Sequence, residues 1–298
     1  MPDLESSLHK SAFEDYLPGS LISDGIARLL AAGVENPRLD AEAMLAAACR
    51  SSRVEVISGL AKIDATAREH YASMLERRIR REPLAYILGH KEFYSLDLVV
   101  TPTVLIPRPE TEMVVSAALE FLHCNPSATV CDVGTGSGAI ALAIAANMPR
   151  AGLTATDILE DALAIARHNA DRLQLASRIR FRLANCFEPI ESADPLGRFD
   201  LIVSNPPYIP DAQIAELAPE IRHFEPRISL AGGADGLEYY RRIAQAVPEH
   251  LEKNGCIIVE IGADQSDSIT EIMRNRGATG IRVNPDLAGL PRVLIAQF

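Results

Sequence analysis

Cysteine is scarce, scattered and odd in number: Cys49, Cys124, Cys131, Cys186 and Cys256. None forms a C-x-x-C pair, and none stands near a histidine at metal-ligand spacing. The 7 histidines are isolated from one another as well. Structural zinc is therefore not expected, and a reduced, cytosolic protein is. Long hydrophobic runs are also missing. No apolar stretch approaches the ~20 residues that a membrane-spanning helix needs. Met1-Pro2-Asp3-Leu4-Glu5-Ser6 is acidic and polar, not a basic start followed by apolar residues, so it does not read as a secretory signal. Positive charge is in deficit, at a net −11. Proteins that grip many phosphates show a basic surplus or a basic stripe. The densest basic run, Arg77-Arg78-Ile79-Arg80-Arg81, reads as the solvated end of a helix, where cations suit the dipole. This balance counts against a nucleic-acid partner without excluding one. There is no internal repeat and no low-complexity segment.

What is present is ordinary globular material, 48% hydrophobic and 23% charged over 298 residues. That length suggests one large domain and a smaller one. Residues 20–82 read as helical. One helix covers Leu21–Leu30 and ends near Gly33. Pro37 breaks the chain, and a second helix runs from Leu39 to Cys49 with Asp40 helping its start. A third runs from Thr66 to Arg81 and stops at Pro83. The unit has no catalytic signature and is either structural or a docking platform. Phe93, Leu96, Leu98 and Val100 then suggest a hairpin with its turn near Ser95. Leu105-Ile106-Pro107-Arg108-Pro109-Glu110-Thr111-Glu112 precedes a helix beginning near Met113, with Thr111 or Glu110 as its cap.

From residue 129 the pattern alternates. Strands are expected at 129–133, 153–156, 179–183, 199–204 and 256–261, with helices at 139–147, 161–175, 237–247 and 269–276. Two final strands, near Ile281 and at 293–296, have no helix between them and should pair antiparallel. Alternation of this kind gives an α/β fold, a doubly wound and mainly parallel sheet.

Two loops at strand ends carry the chemistry. Asp132-Val133-Gly134-Thr135-Gly136-Ser137-Gly138 follows the first strand, and its glycines let a ligand approach backbone N–H groups. Asp157, ending the next strand, suits a ribose diol. The spacing is G-x-G-x-G, not the G-x-G-x-x-G of dinucleotide binding, and Asp132 would repel a pyrophosphate but suit a cation. Asn205-Pro206-Pro207-Tyr208 follows Phe199–Ser204. Each proline lacks an N–H and fixes φ, so this is a stiff loop at the ligand-binding edge of the sheet. It offers an amide, free backbone carbonyls and a ring, a set that can hold a planar NH2 group. Its bland alternative is a proline turn capped by asparagine.

Asn-Pro-Pro-Tyr in this place resembles the amino-group methyltransferases that use S-adenosylmethionine. Pro83-Leu84-Ala85-Tyr86-Ile87-Leu88-Gly89, Phe93-Tyr94, the 105–112 and 132–138 segments, Ser204–Ile209 and Phe224-Glu225-Pro226 together look like the bacterial peptide chain release factor N5-glutamine methyltransferases. The resemblance implies a class I S-adenosylmethionine-dependent methyltransferase, with a Rossmann-like, seven-stranded, mainly parallel sheet and a small N-terminal helical domain. It implies a helical substrate-docking domain over 1–82, a hairpin linker over 83–104 and the methyltransferase domain over 105–298. The implied reaction moves a methyl group from S-adenosyl-L-methionine to the side-chain amide nitrogen of the glutamine in the Gly-Gly-Gln motif of class 1 release factors, leaving S-adenosyl-L-homocysteine.

The cofactor would lie on Gly134, Thr135, Gly136, Ser137, Gly138, Asp157, Asn185, Cys186 and Asn205. The substrate would meet Asn205, Pro206, Pro207 and Tyr208, with Asn205, Pro206 and Tyr208 as the catalytic set and no metal. Arg108, Glu110 and Glu225 are further candidates for substrate or cofactor contacts. Asn185-Cys186 departs from the Asp plus bulky residue that the family often places beside adenine. A cytoplasmic monomer is expected, acting on a protein and without direct contact to nucleic acid or membrane. Three other readings stay open: a methyltransferase acting on an exocyclic amino group of adenine or guanine, a nicotinamide-dependent oxidoreductase, and a release factor binding module without chemistry.

Overall fold

The computed structural model describes residues 18–189 and 196–298. Met1–Ser6, read above as lacking a secretory signal, lies outside them. The chain divides into two units, Met1–Leu88 and Gly89–Phe298.

In the first unit, α1 (Pro18–Ala31), α2 (Pro37–Cys49), α3 (Arg53–Ile57), α4 (Ala65–Ile79) and α5 (Leu84–Leu88) enclose a core of Leu29, Met44, Leu45, Tyr71 and Leu75. Pro37 does not break the chain outside a helix; it opens α2, where its missing N–H costs nothing. The short α3 starts with a reciprocal capping box between Ser52 and Glu55. Gly25 is needed where α1 meets α4, because a Cβ there would stand 2.1 Å from the Tyr71 hydroxyl.

The basic run is not a solvated helix end. Arg78 is buried, and its Nε donates to Oδ2 of buried Asp40 at 2.7 Å. Arg77 pairs with Glu82, and Arg81 Nη1 donates to the Ala32 carbonyl at 3.3 Å. Asp40 lies in the first turn of α2, as expected, and is also the partner of Arg78. A buried charge is tolerable only when paired, and that requirement outweighs the weak dipole term.

The second unit begins with a hairpin of β1 (His90–Phe93) and β2 (Leu96–Val99). Tyr94 and Ser95 form its turn, both at positive φ, as a tight two-residue turn of right-handed strands demands. Next come α6 (Glu112–Cys124), β3 (Thr129–Val133), α7 (Ala139–Asn147), β4 (Gly152–Asp157), α8 (Glu160–Arg172), β5 (Ile179–Asn185) and β6 (Glu188–Pro189). They are followed by β7 (Phe199–Ser204), α9 (Pro219–Phe224), α10 (Glu238–His250), β8 (Leu251–Glu260), α11 (Ser266–Arg274), β9 (Gly280–Pro285) and β10 (Pro291–Gln297).

The sheet runs β6-β5-β4-β3-β7-β8-β10-β9. Strands β5, β4, β3, β7 and β8 are mutually parallel, and β10 is antiparallel to both β8 and β9. This is the class I methyltransferase sheet of seven strands, extended at one edge by the two-residue β6. Helices cover both faces. Ile140, Leu142 and Ile144 of α7 pack into one core, and Tyr240, Ile243, Ile269 and Met273 of α10 and α11 into the other. Parallel strands buried on both faces read as unbroken apolar runs, and Cys256-Ile257-Ile258-Val259 of β8 is one. The strand order reverses between β3 and β7, which opens a crevice at their C-terminal ends. Ser204 Oγ donates to the Val133 carbonyl at 2.7 Å and pins the two strand ends together.

Replacing Arg78 with Met should leave Asp40 as an unpaired buried carboxylate, at a cost of roughly 3–5 kcal/mol. Urea denaturation of the full chain should show this loss, whereas the same change at exposed Arg80 should be nearly neutral.

Candidate active site

The crevice is a cleft with a cavity volume of about 90 Å³. Its lining includes Gly134, Gly136, Asp157, Asn185, Cys186, Asn205, Pro206 and Pro207, so most of the residues singled out in the sequence meet there. A second cavity, of about 120 Å³, is lined by Arg108, Tyr208, Ile209 and Ile221 among others. Asn205 and Pro206 line both cavities, together with Leu105 and Ser229. The Asn-Pro-Pro-Tyr loop is thus the partition between two pockets.

The glycine loop is shaped by its backbone. Gly134 and Gly136 take positive φ (72° and 57°), and a Cβ at either would meet nothing within 4 Å, so open space lies over them. Gly138, also at positive φ, sits where a Cβ would stand 2.9 Å from Leu142. Thr135 and Ser137 are both buried and do not line the cleft. The Thr135 hydroxyl donates to Asp132 Oδ2 at 2.6 Å, and the Ser137 carbonyl accepts from Asn169 Nδ2 at 2.9 Å. Asn169 also exchanges hydrogen bonds with both backbone groups of Val99, which ties the hairpin to the glycine loop. At Asp157, Oδ2 accepts from Gly136 N and Oδ1 from Leu159 N. Its oxygens keep lone pairs for a further donor. Burial raises its pKa above the usual carboxylate value.

Asp132 is fully buried, and one of its carboxylate oxygens, Oδ1, has no partner among the described residues. Burial pushes its pKa up to about 7. Its neighbour Val133 lines the cleft, so a cationic ligand there would favour the ionised form.

The Asn205 amide is oriented. Its Nδ2 donates to Thr111 Oγ1 at 3.0 Å, and Thr111 Oγ1 donates onward to Glu260 Oε2 at 2.5 Å. Asn205 Oδ1 and the Pro206 carbonyl accept no hydrogen bond among the described residues. Thr111 does not cap α6 with its side chain, as the sequence suggested; its hydroxyl is committed to this chain of bonds. Tyr208 donates its hydroxyl to Glu260 Oε1 at 3.3 Å, and burial with the adjoining carboxylate lifts the phenol pKa to about 12. Glu260 ends β8 and is 1% exposed, and burial raises its pKa too.

The loop is also held from behind. Gln265 Nε2 donates to the Tyr208 carbonyl at 3.0 Å. A Cβ at Gly232 would stand 2.8 Å from Tyr208 Cα, and one at Gly236 would stand 2.4 Å from the Tyr208 carbonyl. Only glycines allow the 232–236 segment to pack this closely. Glu225 is buried and lines neither cavity. Its oxygens take the Arg108 guanidinium and the Ile106 N–H, fixing the loop that carries Arg108 into the second cavity. Glu110 is exposed and lines neither cavity. Sequence reading missed Thr111 as an active-site group, and also Glu260 and Gln265. They come from three separate elements, and no spacing links them to Asn205.

The raised pKa of Asp132 has a definite sign. Above its ordinary value of 3.8 the unfolded chain is ionised, while the native protein keeps the proton up to about 7. The folded state therefore loses stability between those values and carries a constant penalty above them. Asp132→Asn should remove that penalty. In thermal melts of the cofactor-free protein, the gain in Tm over wild type should grow between pH 5 and 7 and then level off.

Residues 20–89 match the family profile described as PrmC N-terminal domain, and residues 114–221 match the one described as methyltransferase small domain. The chain is 41% identical over 277 residues to the release factor glutamine methyltransferase of Moorella thermoacetica, covering 92% of this chain and 96% of that one. It is 41% identical to that of Geobacter sulfurreducens, covering 88% and 90%. Among solved structures, a methyltransferase from Pyrococcus furiosus superposes with a TM-score of 0.50 over 74% of this chain and 98% of that one; at 20% identity this shows the shared fold alone. No helix among the described residues is long and apolar enough to cross a membrane. With this identity along almost its whole length, the chain belongs to the release factor glutamine methyltransferases.

Proposed function

We propose that this enzyme methylates the side-chain amide nitrogen of the glutamine in the Gly-Gly-Gln motif of class 1 peptide chain release factors, and that Asn205, Pro206 and Tyr208 hold that amide for transfer. The observation that carries this reading is the pair of free acceptors, Asn205 Oδ1 and the Pro206 carbonyl, on the partition between the two cavities. A carboxamide NH2 reaching in from the second cavity has two hydrogens for these two acceptors, and the Tyr208 ring offers a face to pack against.

S-Adenosylmethionine supplies an electrophilic methyl group on its sulfonium. The residues lining the first cavity fit it. Gly134 and Gly136 leave open space over the loop, Asp157 has lone pairs for ribose hydroxyls, and the partnerless oxygen of buried Asp132 favours a cation nearby. Asn185 and Cys186 would flank the adenine, with Cys186 a smaller wall than the family's bulky residue. Thr135, Ser137 and Gly138 would act by shaping the loop.

An amide nitrogen is a weak nucleophile because its lone pair is delocalised. Acceptors on both hydrogens stabilise the positive charge that grows on nitrogen as the C–N bond forms. Fixing the donor and acceptor atoms in line is worth on the order of 7 kcal/mol in favourable cases. Tyr208, with its phenol pKa near 12, stays protonated at neutral pH and orients the amide without acting as a base. The proton departs after transfer, when the nitrogen has become acidic. The helical unit would receive the release factor, and exposed Leu30, Val54 and Leu60 give it apolar surface for that purpose. Bacterial translation termination takes place in the cytoplasm, where we place this enzyme, as a monomer.

Incubation of the full chain with S-adenosylmethionine and a purified class 1 release factor should add one methyl group to the Gly-Gly-Gln glutamine, read by mass spectrometry of the peptide. Methylation of RNA or DNA in parallel, with none on the release factor, would overturn the assignment. Asn205→Ala should lower kcat at least 100-fold while leaving the Kd for S-adenosylmethionine within tenfold, about 1.4 kcal/mol.

A further inference from the structure

The proposed reaction needs the oxygen of the Asn205 amide, not its nitrogen, to face the substrate. An asparagine side chain can present either, because the two ends are nearly the same in shape and opposite in hydrogen bonding. Something must choose between them. Asn205 itself cannot, and Pro206 and Pro207 have no N–H with which to do so.

We propose that Thr111 and Glu260 are positioning residues that fix the orientation of the Asn205 amide, through a relay in which each hydrogen bond dictates the direction of the next. Each oxygen of the Glu260 carboxyl takes a hydrogen, Oε1 from the Tyr208 phenol and Oε2 from Thr111. Facing Glu260 Oε2 at 2.5 Å, the Thr111 hydroxyl must donate its one hydrogen there. Its oxygen is then left only as an acceptor, and at 3.0 Å from Asn205 it takes a hydrogen from the NH2 group. Oδ1 is thereby turned to the other side, where it has no protein partner among the described residues.

The second oxygen of Glu260 accepts from Tyr208, so the same carboxylate also fixes the aromatic member of the loop. Tyr240 donates its hydroxyl to the Glu260 backbone carbonyl at 2.8 Å and holds the end of β8 in register. The relay is buried, with Thr111 4% and Glu260 1% exposed, so water does not compete for its donors and acceptors. If the amide were reversed, Nδ2 would face the substrate NH2, donor against donor, and the transition state would lose one of its two acceptors.

This inference rests on the proposed methyl transfer for its kinetic consequence, but the orientation itself can be read in the free protein. Thr111→Val keeps the shape and removes the relay, while Thr111→Ser keeps the hydroxyl. With a release factor as substrate, Thr111→Val should lower kcat at least tenfold, with the Kd for S-adenosylmethionine within about twofold of wild type. Thr111→Ser should stay within about threefold of wild-type kcat. A valine variant with wild-type kcat, or a serine variant as impaired as valine, would overturn the relay.

The substrate-independent arm is NMR of the cofactor-free full chain, with the side-chain NH2 of Asn205 assigned through Asn205→Asp. In wild type that NH2 should exchange slowly with water and shift on Thr111→Val. An NH2 signal unchanged by the substitution overturns the relay even if no release factor is methylated, and that separates its failure from failure of the proposed function. If Thr111→Val does not fold, Glu260→Gln provides the same reading. Its amide can donate to Thr111 and let the Asn205 amide reverse. Then kcat should fall at least threefold without a drop in Tm, because a buried carboxylate has become neutral; a Gln variant with unchanged kcat counts against the relay.

Discussion

A hydrogen bond that can run in only one direction organises the reacting end of this protein. The Asn205 NH2 is committed to the Thr111 hydroxyl, and that hydroxyl is committed to the Glu260 carboxylate. The acceptor left over is the one that an amide substrate requires. Much of the second unit serves to keep this geometry in place. The sheet brings the ends of β7 and β8 side by side, the start of α6 lays Thr111 across them, and glycines at 232 and 236 let a supporting segment press against the loop from behind.

The site also keeps buried carboxylates at an energetic cost. Asp132, Asp157 and Glu260 all have raised pKa values, and in each case desolvation is the largest cause. None of the three makes an ion pair with a lysine or arginine among the described residues. Backbone N–H groups and hydroxyls satisfy them instead, and one oxygen of Asp132 is left without a partner. Such groups reduce stability in the empty protein and favour a cationic ligand when it arrives. The helical unit follows the opposite rule. There the buried acids Asp40 and Glu42 are matched with arginines, which is what a purely structural carboxylate needs.

Sequence-level reading reached far here because the two loops are built from residues with few conformational options. Glycines at positive φ, and prolines that fix φ and lack an N–H, constrain the backbone wherever they occur. Alternating apolar strands and amphipathic helices then give the doubly wound sheet almost without ambiguity. Errors arose where a residue's local meaning gave way to a distant partner. Pro37 looked like a breaker and opens a helix. Arg78 looked solvated and is buried against Asp40. Thr111 looked like a side-chain cap, but its hydroxyl bonds Asn205 and Glu260. Ser137 looked like a cofactor contact and is buried behind the loop.

By itself, then, the sequence determined the order of the long strands and helices (but not the short α3, α5, α9 and β6), the two ligand loops at strand ends and the residue types that an amide-methylating site needs. Local backbone restriction and hydrophobic period settle these, and both are properties of neighbouring residues. Tertiary structure alone decided which way the Asn205 amide points, which carboxylates line the cleft and which hold loops, and that Asn205 and Pro206 form a wall between two cavities. Those outcomes depend on Thr111, Glu225 and Glu260 reaching loops more than fifty residues away in the chain for Tyr208 and 149 residues apart for Thr111 and Glu260. Hydrogen-bond direction at such distances is set by folding and leaves no periodic trace in the sequence.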